Sequence, residues 1–206
     1  MLVEVEQGSD EWFSLRKSLL TASVAGSAAG LKPRTYLTRG RLYDTYFGWE
    51  QPSTDAMFFG EEFEDHARDS GERAVGALSY RVGLHVSDDY PWLGASTDGM
   101  FHKMGLHEIK CRATEPYESI SPQHMAQIQV QLECAGCGRC YFQSWTPDQQ
   151  RIWIVKRSRE YFAWLLPHLE EFWGYVQRAE RPPDLHRRRA YEKEAPGTQL
   201  IYEGDS

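Results

Sequence analysis

Trp92-Leu93-Gly94-Ala95-Ser96-Thr97-Asp98-Gly99, a short polar connection, and then Leu106-His107-Glu108-Ile109-Lys110-Cys111-Arg112 is the stretch on which the fold turns. Two apolar-edged runs flank a connection containing Gly99, His102, Lys103 and Gly105, the pattern of a strand pair. Asp98 stands at the end of the first run. In the second run Glu108 and Lys110 are two apart, so a strand aims both side chains at one face. Two carboxylates and a lysine beside a sheet suit a metal-dependent phosphodiesterase. The carboxylates hold Mg²⁺ or Mn²⁺, and the lysine favours or positions a hydroxide next to the scissile phosphate. Plainer roles exist too: Asp98-Gly99 as a turn, Glu108 and Lys110 as an exposed cross-strand charge pattern. The neighbouring segments decide.

Upstream, Phe58 to about Ala77 has helical period, with Phe59, Phe63, Ala67 and Ala74 turned inward. Glu64 lies at the boundary of that stripe, where a carboxylate can reach a site. Downstream, Pro122 to Leu132 is a helix with an apolar stripe of Met125, Ile128 and Leu132, while Gln123, His124, Gln127 and Gln131 share another face. A polar, uncharged face of this kind can lie over a phosphodiester without repelling it.

Nearer the N-terminus, Gly8-Ser9-Asp10 caps a short helix over 8–19 whose stripe is Trp12, Leu15 and Leu19, with Arg16 adjacent. Thr21-Ala22-Ser23 opens a second, small-residue helix ending near Gly30; its hydroxyl-rich start serves as a plain N-cap or offers N–H groups to a phosphate. Residues 35–47 are helical in pattern, with Tyr36, Leu37, Leu42, Tyr43 and Phe47 on the apolar side, and 79–86 alternates as one strand. Two aromatic-rich strands at 140–145 and 151–155 follow, and then an amphipathic helix at 158–177 that Pro167 should kink. Beyond Ala179 the chain is polar, an extended or loosely packed tail. The whole reads as one α/β domain over 1–206 with a mixed central β-sheet flanked by helices.

Bulk properties narrow the function. The 206 residues suit a single domain, and 41% hydrophobic with 26% charged residues excludes a disordered chain. A net charge of −7 argues against blanket coating of nucleic acid but leaves local basic patches at Arg16–Lys17, Lys32 to Arg41 and Arg178 to Arg189, which singly also suit solvated faces. No apolar run approaches the roughly 18 residues of a membrane span, and Met-Leu-Val-Glu-Val-Glu is no secretory leader; a cytoplasmic protein is expected. Cys134, Cys137 and Cys140 are spaced C-x₂-C-x₂-C, with Cys111 elsewhere. They are either metal or iron–sulfur ligands or, more in keeping with a cytosolic chain, buried reduced thiols.

Several ordered motifs resemble the phage lambda exonuclease family, the YqaJ-like viral recombinases within the PD-(D/E)XK nuclease class. They are Gln7-Gly8-Ser9-Asp10-Glu11-Trp12 with Leu15-Arg16 and Thr21-Ala22-Ser23; Gly60-x₃-Glu64-x₂-Ala67; Ala95-Ser96-Thr97-Asp98-Gly99, with threonine where the family has proline; Glu108-Ile109-Lys110-Cys111; and Met125-Ala126-Gln127-Ile128-Gln129. The resemblance spans roughly residues 7–145.

It implies a restriction-endonuclease-like core and a Mg²⁺-dependent exonuclease that digests the 5′-ended strand of duplex DNA to mononucleotides, leaving 3′ single strands for recombination by strand annealing. By position, Asp98, Glu108 and the Ile109 carbonyl hold metal, two ions per site, with Glu64 contributing directly or through water. Lys110 positions or deprotonates the attacking water, and Gln127 orients the water or Lys110. Arg16, Ser23 and Ser96 form a pocket for a 5′-terminal phosphate. Trp12 either stacks at the terminal base pair or is a core tryptophan. A homotrimeric ring and a phage-type single-strand annealing partner are further implications. The competing readings are an endonuclease or structure-specific nuclease of the same class, and a non-catalytic protein that binds DNA ends.

Overall fold

The protein is described by a computed structural model covering residues 1–31, 37–183, 185, 189–193 and 196–206. The start of the expected 35–47 helix, with Tyr36, lies outside the described residues, as do parts of the Lys32–Arg41 and Arg178–Arg189 basic patches.

The N-terminal third holds β1 (Leu2–Val3), α1 (Asp10–Lys17), β2 (Leu20–Thr21), a 3₁₀ turn over Ala22–Val24, α2 (Ala25–Ala28) and α3 (Arg39–Tyr46). Ser9 caps α1 by accepting from the Trp12 N–H, and Thr38 caps α3 through Arg41. The long α4 (Asp55–Val75) starts at a Thr54 cap and stops at Gly76, whose φ of 74° supplies the left-handed exit. Then come β3 (Ser79–Tyr80), β4 (Leu84–Val86), β5 (Leu93–Ser96), β6 (Gly99–Phe101) and β7 (Gly105–Cys111). The chain closes with α5 (Pro122–Cys134), β8 (Arg139–Trp145), β9 (Gln149–Lys156), α6 (Arg159–Gln177) and β10 (Thr198–Asp205).

The strands form the expected mixed sheet, in the order β10-β9-β8-β7-β6-β3, with β7 and β8 parallel and the other pairs antiparallel. Beside it stands a second, four-stranded sheet in the order β1-β4-β5-β2. The run over 79–86 is therefore not one strand: β3 joins the large sheet and β4 the small one. Gly83, at the break, passes so close to β1 that a Cβ there would lie 2.2 Å from the Val3 carbonyl oxygen. The presumed strand pair over 92–112 is likewise three strands, and the chain changes sheets between β5 and β6, at Thr97-Asp98. The tail is corrected too, since residues 198–205 pair with β9 along the edge of the large sheet.

Side-chain alternation along β7 sorts the two faces. His107 and Ile109 face α4, where Ile109 packs with Ala67 and Trp145, and Phe63 and Phe59 close over them. Leu106 faces the other way, into the main core of α2, α5 and α6 with Phe142, Ile128, Leu165 and Phe172. Glu108 and Lys110 share that second face. Helix α6 runs through Pro167 without interruption. Helix α5 is buried from His124 to Leu132, so its glutamines lie inside the protein and not on a wet surface.

Candidate active site

Glu108 is 1% exposed, and burying a carboxylate without partners costs several kcal/mol. It is fully served. Its Oε1 accepts from the Lys110 Nζ and from the Gln127 Nε2, both at 2.6 Å, and its Oε2 accepts from the Gln131 Nε2 at 2.6 Å. Gln127 and Gln131 reach the same carboxylate because residues four apart lie on one face of a helix. Gln131 is a site residue that the sequence reading placed on the right face but did not single out. Its i, i+4 relation to Gln127 was the available signal.

Asp98 sits at the crossing between the two sheets, with Oδ2 accepting from the Ile109 N–H at 2.6 Å. The Thr97 hydroxyl, where the family has proline, donates to the Gly99 carbonyl at 3.2 Å and ties the turn together. Gln7 adds a clamp, its Nε2 donating to the carbonyls of Thr97 at 2.8 Å and Val82 at 3.0 Å. Enclosure, then the neighbouring Glu108 charge, raise the Asp98 pKa to about 8, against the pull of Lys110. For Lys110, burial alone lowers the pKa. The charges of Glu108 and Asp98 overcome that and hold the ammonium above its ordinary value. Lys110 is thus a cation that donates, not a free amine that accepts.

Glu64, on α4, is close enough to raise the Asp98 pKa, but its carboxylate pairs with Arg68 at 2.7 Å and approaches Arg81 at 3.7 Å. Among the described residues no group of three or more His, Cys, Asp or Glu side chains is arranged to hold a metal ion. The chemistry of the donor set nevertheless suits a hard divalent cation. Two carboxylates, Asp98 and Glu108, stand against one ammonium, and the Glu108 charge adds to enclosure in raising the Asp98 pKa. As they stand, the amide and ammonium contacts of Glu108 and the Arg68 pairing of Glu64 keep the carboxylates apart from a common centre. The four cysteines are free, and burial raises the thiol pKa at each, to about 12 for Cys111 and Cys134.

A second cluster adjoins the first. The guanidinium of Arg16 donates to the Ser23 hydroxyl at 3.1 Å and reaches the Ser96 hydroxyl at 3.5 Å, and it lies 4.2 Å from the centre of the Trp12 ring. The Trp12 indole N–H donates to the same Ser96 hydroxyl at 3.0 Å. Trp12, Arg16, Ser23 and Ser96 are therefore together, on elements far apart in sequence. Trp12 is half-buried and belongs to this cluster, not to the main core. Ser23 lies in the 3₁₀ turn, so the expected helix start at Thr21 is a strand end and a tight turn. The clusters are joined by Gln131, whose Nε2 also donates to the Ser96 carbonyl at 3.1 Å.

Comparisons with known proteins give the family and the fold. The model of the YqaJ-like viral recombinase domain matches residues 11–138. Among solved structures, the chain is similar to an alkaline exonuclease, LHK-Exo, from Laribacter hongkongensis, at 26% identity and a TM-score of 0.68 over 83% of this chain and 94% of that one. The same protein in complex with dAMP matches at 25% identity and a TM-score of 0.69, with the same coverage. A phage-related exonuclease from Haemophilus somnus 129PT shares the fold at 10% identity, with a TM-score of 0.64 over 78% of this chain and 94% of that one. No curated protein sequence matches significantly. The family match covers well over half of the chain and includes Asp98, Glu108, Lys110 and the end cluster, and the chain belongs to the YqaJ-like viral recombinase family.

Proposed function

We propose that the protein is a metal-dependent exodeoxyribonuclease that digests duplex DNA from a 5′-phosphorylated end and leaves a 3′ single strand. The observation that carries this reading is the bridge made by Gln131, one amide holding both the cutting carboxylate Glu108 and the Ser96 backbone of the end cluster. The solved alkaline exonuclease at 26% identity, also solved in complex with dAMP, supports a nuclease.

In this reading Arg16, Ser23 and Ser96 take the terminal phosphate, with the guanidinium fork supplying charge-assisted hydrogen bonds. Asp98, Glu108 and the Ile109 carbonyl would hold Mg²⁺, or Mn²⁺ in its place, with Glu64 joining from α4. Bound there, the cation supplies an activated water and neutralises charge building on the phosphate. Lys110 stays charged, orients that water and donates toward the developing negative charge. Gln127 and Gln131 fix the Glu108 carboxylate so that it does not turn away. Cleavage from ends suits a cytoplasmic recombination enzyme that hands its 3′ strand to a single-strand annealing protein and encircles DNA as a homotrimer.

Linear 5′-phosphorylated duplex incubated with Mg²⁺ should release mononucleotides, and a chelator should stop the release. Nicking of covalently closed circular duplex would instead favour the endonuclease, and binding with no metal-dependent release would favour an end-binding protein. Arg16→Ala is expected to erase the advantage of a 5′-phosphate over a 5′-hydroxyl end, about ten-fold or more in kcat/KM. An unchanged preference in that variant refutes the pocket.

A further inference from the structure

The partly or fully buried arginines in the described part of the chain fall into two kinds. Arg39, Arg68, Arg151, Arg157 and Arg189 each pair with a carboxylate. Arg16 and Arg112 pair with none among the described residues, and each guanidinium lies 4.2 Å from the centre of an aromatic ring, Trp12 for one and Tyr117 for the other. Keeping a guanidinium half out of water without a paired carboxylate costs free energy, and ring stacking returns only part of it. A cation left in this state is complete only when an anion arrives with a ligand.

The placement of Arg112 says which anion. It follows Lys110 by two residues, one past the end of β7, and its N–H carries the ladder on by donating to the Trp145 carbonyl at 2.8 Å, so continued alternation puts it on the face that carries Glu108 and Lys110. Tyr117 lies close enough to Lys110 to add to its raised pKa. The Tyr117 backbone is held in place, its N–H donating to the Ser144 hydroxyl at 2.9 Å and its carbonyl accepting from Arg151 at 3.2 Å, and its ring meets the His124 ring edge-on at 5.0 Å. The Nε of Arg112 is buried and has no hydrogen-bond partner. Arg16 thus lies on the Ser96 side of Glu108, while Arg112 and Lys110 have Tyr117 as a common neighbour.

We propose that Arg112, stacked on Tyr117, is a second phosphate-binding subsite that takes the phosphodiester next along the digested strand beyond the scissile one. This rests on the nuclease reading. It makes Arg112 a substrate-gripping residue that acts on affinity and leaves the chemical step alone.

The test uses the full chain and a 5′-phosphorylated linear duplex. With chelator present to prevent cutting, Arg112→Ala should bind about ten-fold more weakly, and the slope of log Kd against log salt should fall by about one. With Mg²⁺ its KM should rise by a similar factor while kcat stays within about three-fold. Methylphosphonate groups placed singly along the strand should reveal one position that weakens wild-type binding and leaves Arg112→Ala unaffected. Arg112→Lys, which keeps the charge, should keep the salt slope and regain part of the affinity, and Tyr117→Leu should weaken binding with the slope unchanged. These two variants decide the matter if Arg112→Ala fails to fold. Wild-type affinity and slope in Arg112→Ala, or a methylphosphonate profile identical to wild type, overturns the subsite. A wild-type protein that releases no nucleotide from linear duplex overturns the nuclease reading instead.

Discussion

Lys110→Ala is expected to lower nucleotide release from linear duplex by about a thousand-fold, because a single preorganised donor at a developing charge contributes on the order of 10²–10³ in rate and Lys110 also balances the carboxylates. The chain should stay folded. Glu108 keeps its hydrogen bonds from Gln127 and Gln131, and both α5 and β7 are pinned by the main core. Removing the ammonium takes away the charge that pulls the Asp98 pKa down, so that pKa rises further. Arg16-dependent capture of the phosphorylated end should survive, since that cluster contacts Ser96 and Ser23 and not Lys110. Release within ten-fold of wild type would mean that Lys110 is not part of the chemistry.

A large stability effect is expected at Gly71, on α4. A Cβ there would lie 2.6 Å from the Gln143 Oε1 and 3.1 Å from the His107 Cε1, inside a buried polar chain. In that chain His107 Nε2 meets Gln143 Oε1 at 2.8 Å, and Gln143 Nε2 donates to the Ala67 carbonyl at 2.7 Å and to Gln150 at 2.6 Å. Alanine normally gains about 1 kcal/mol over glycine inside a helix. Here overpacking costs about 1–3 kcal/mol, and a stranded polar group costs about as much again. A net loss near 3 kcal/mol should lower the melting temperature by roughly 6–12 °C. Gly60→Ala, in the same helix with nothing within 4 Å, should leave it level or raise it slightly. Equal melting temperatures for the two variants would contradict the close approach of α4 to the sheet.

What the sequence revealed and what it hid follow from the range of the interactions involved. The period of two in β7 put Glu108 and Lys110 on one face, and the i, i+4 spacing in α5 grouped Gln127 with Gln131. Both are local rules. The crossing at Asp98 depends on which strands β5 and β6 pair with, and a strand's hydrophobic pattern does not name its neighbour. The same limit explains the 79–86 run, whose two halves join different sheets. Strand β10 has no apolar alternation because it is an exposed edge, fastened by the β9 ladder and the Arg151–Glu203 pair. The stripe expected in α1 was misleading for another reason. That helix buries no residue of its own, and it keeps Trp12 and Arg16 half-covered beside Ser96.

Ser96 and Asp98 are two residues apart on one continuous chain. Fully extended, two residues span about 7 Å, whereas a DNA strand advances about 3.4 Å per nucleotide along the helix axis. On the proposed reading, Ser96 touches the captured end and Asp98 marks the bond to be cut. The step size of digestion is then gauged by a covalent length that thermal motion of the sheets cannot stretch. An enzyme with such a gauge takes its substrate in one fixed short unit, however long the duplex that feeds it.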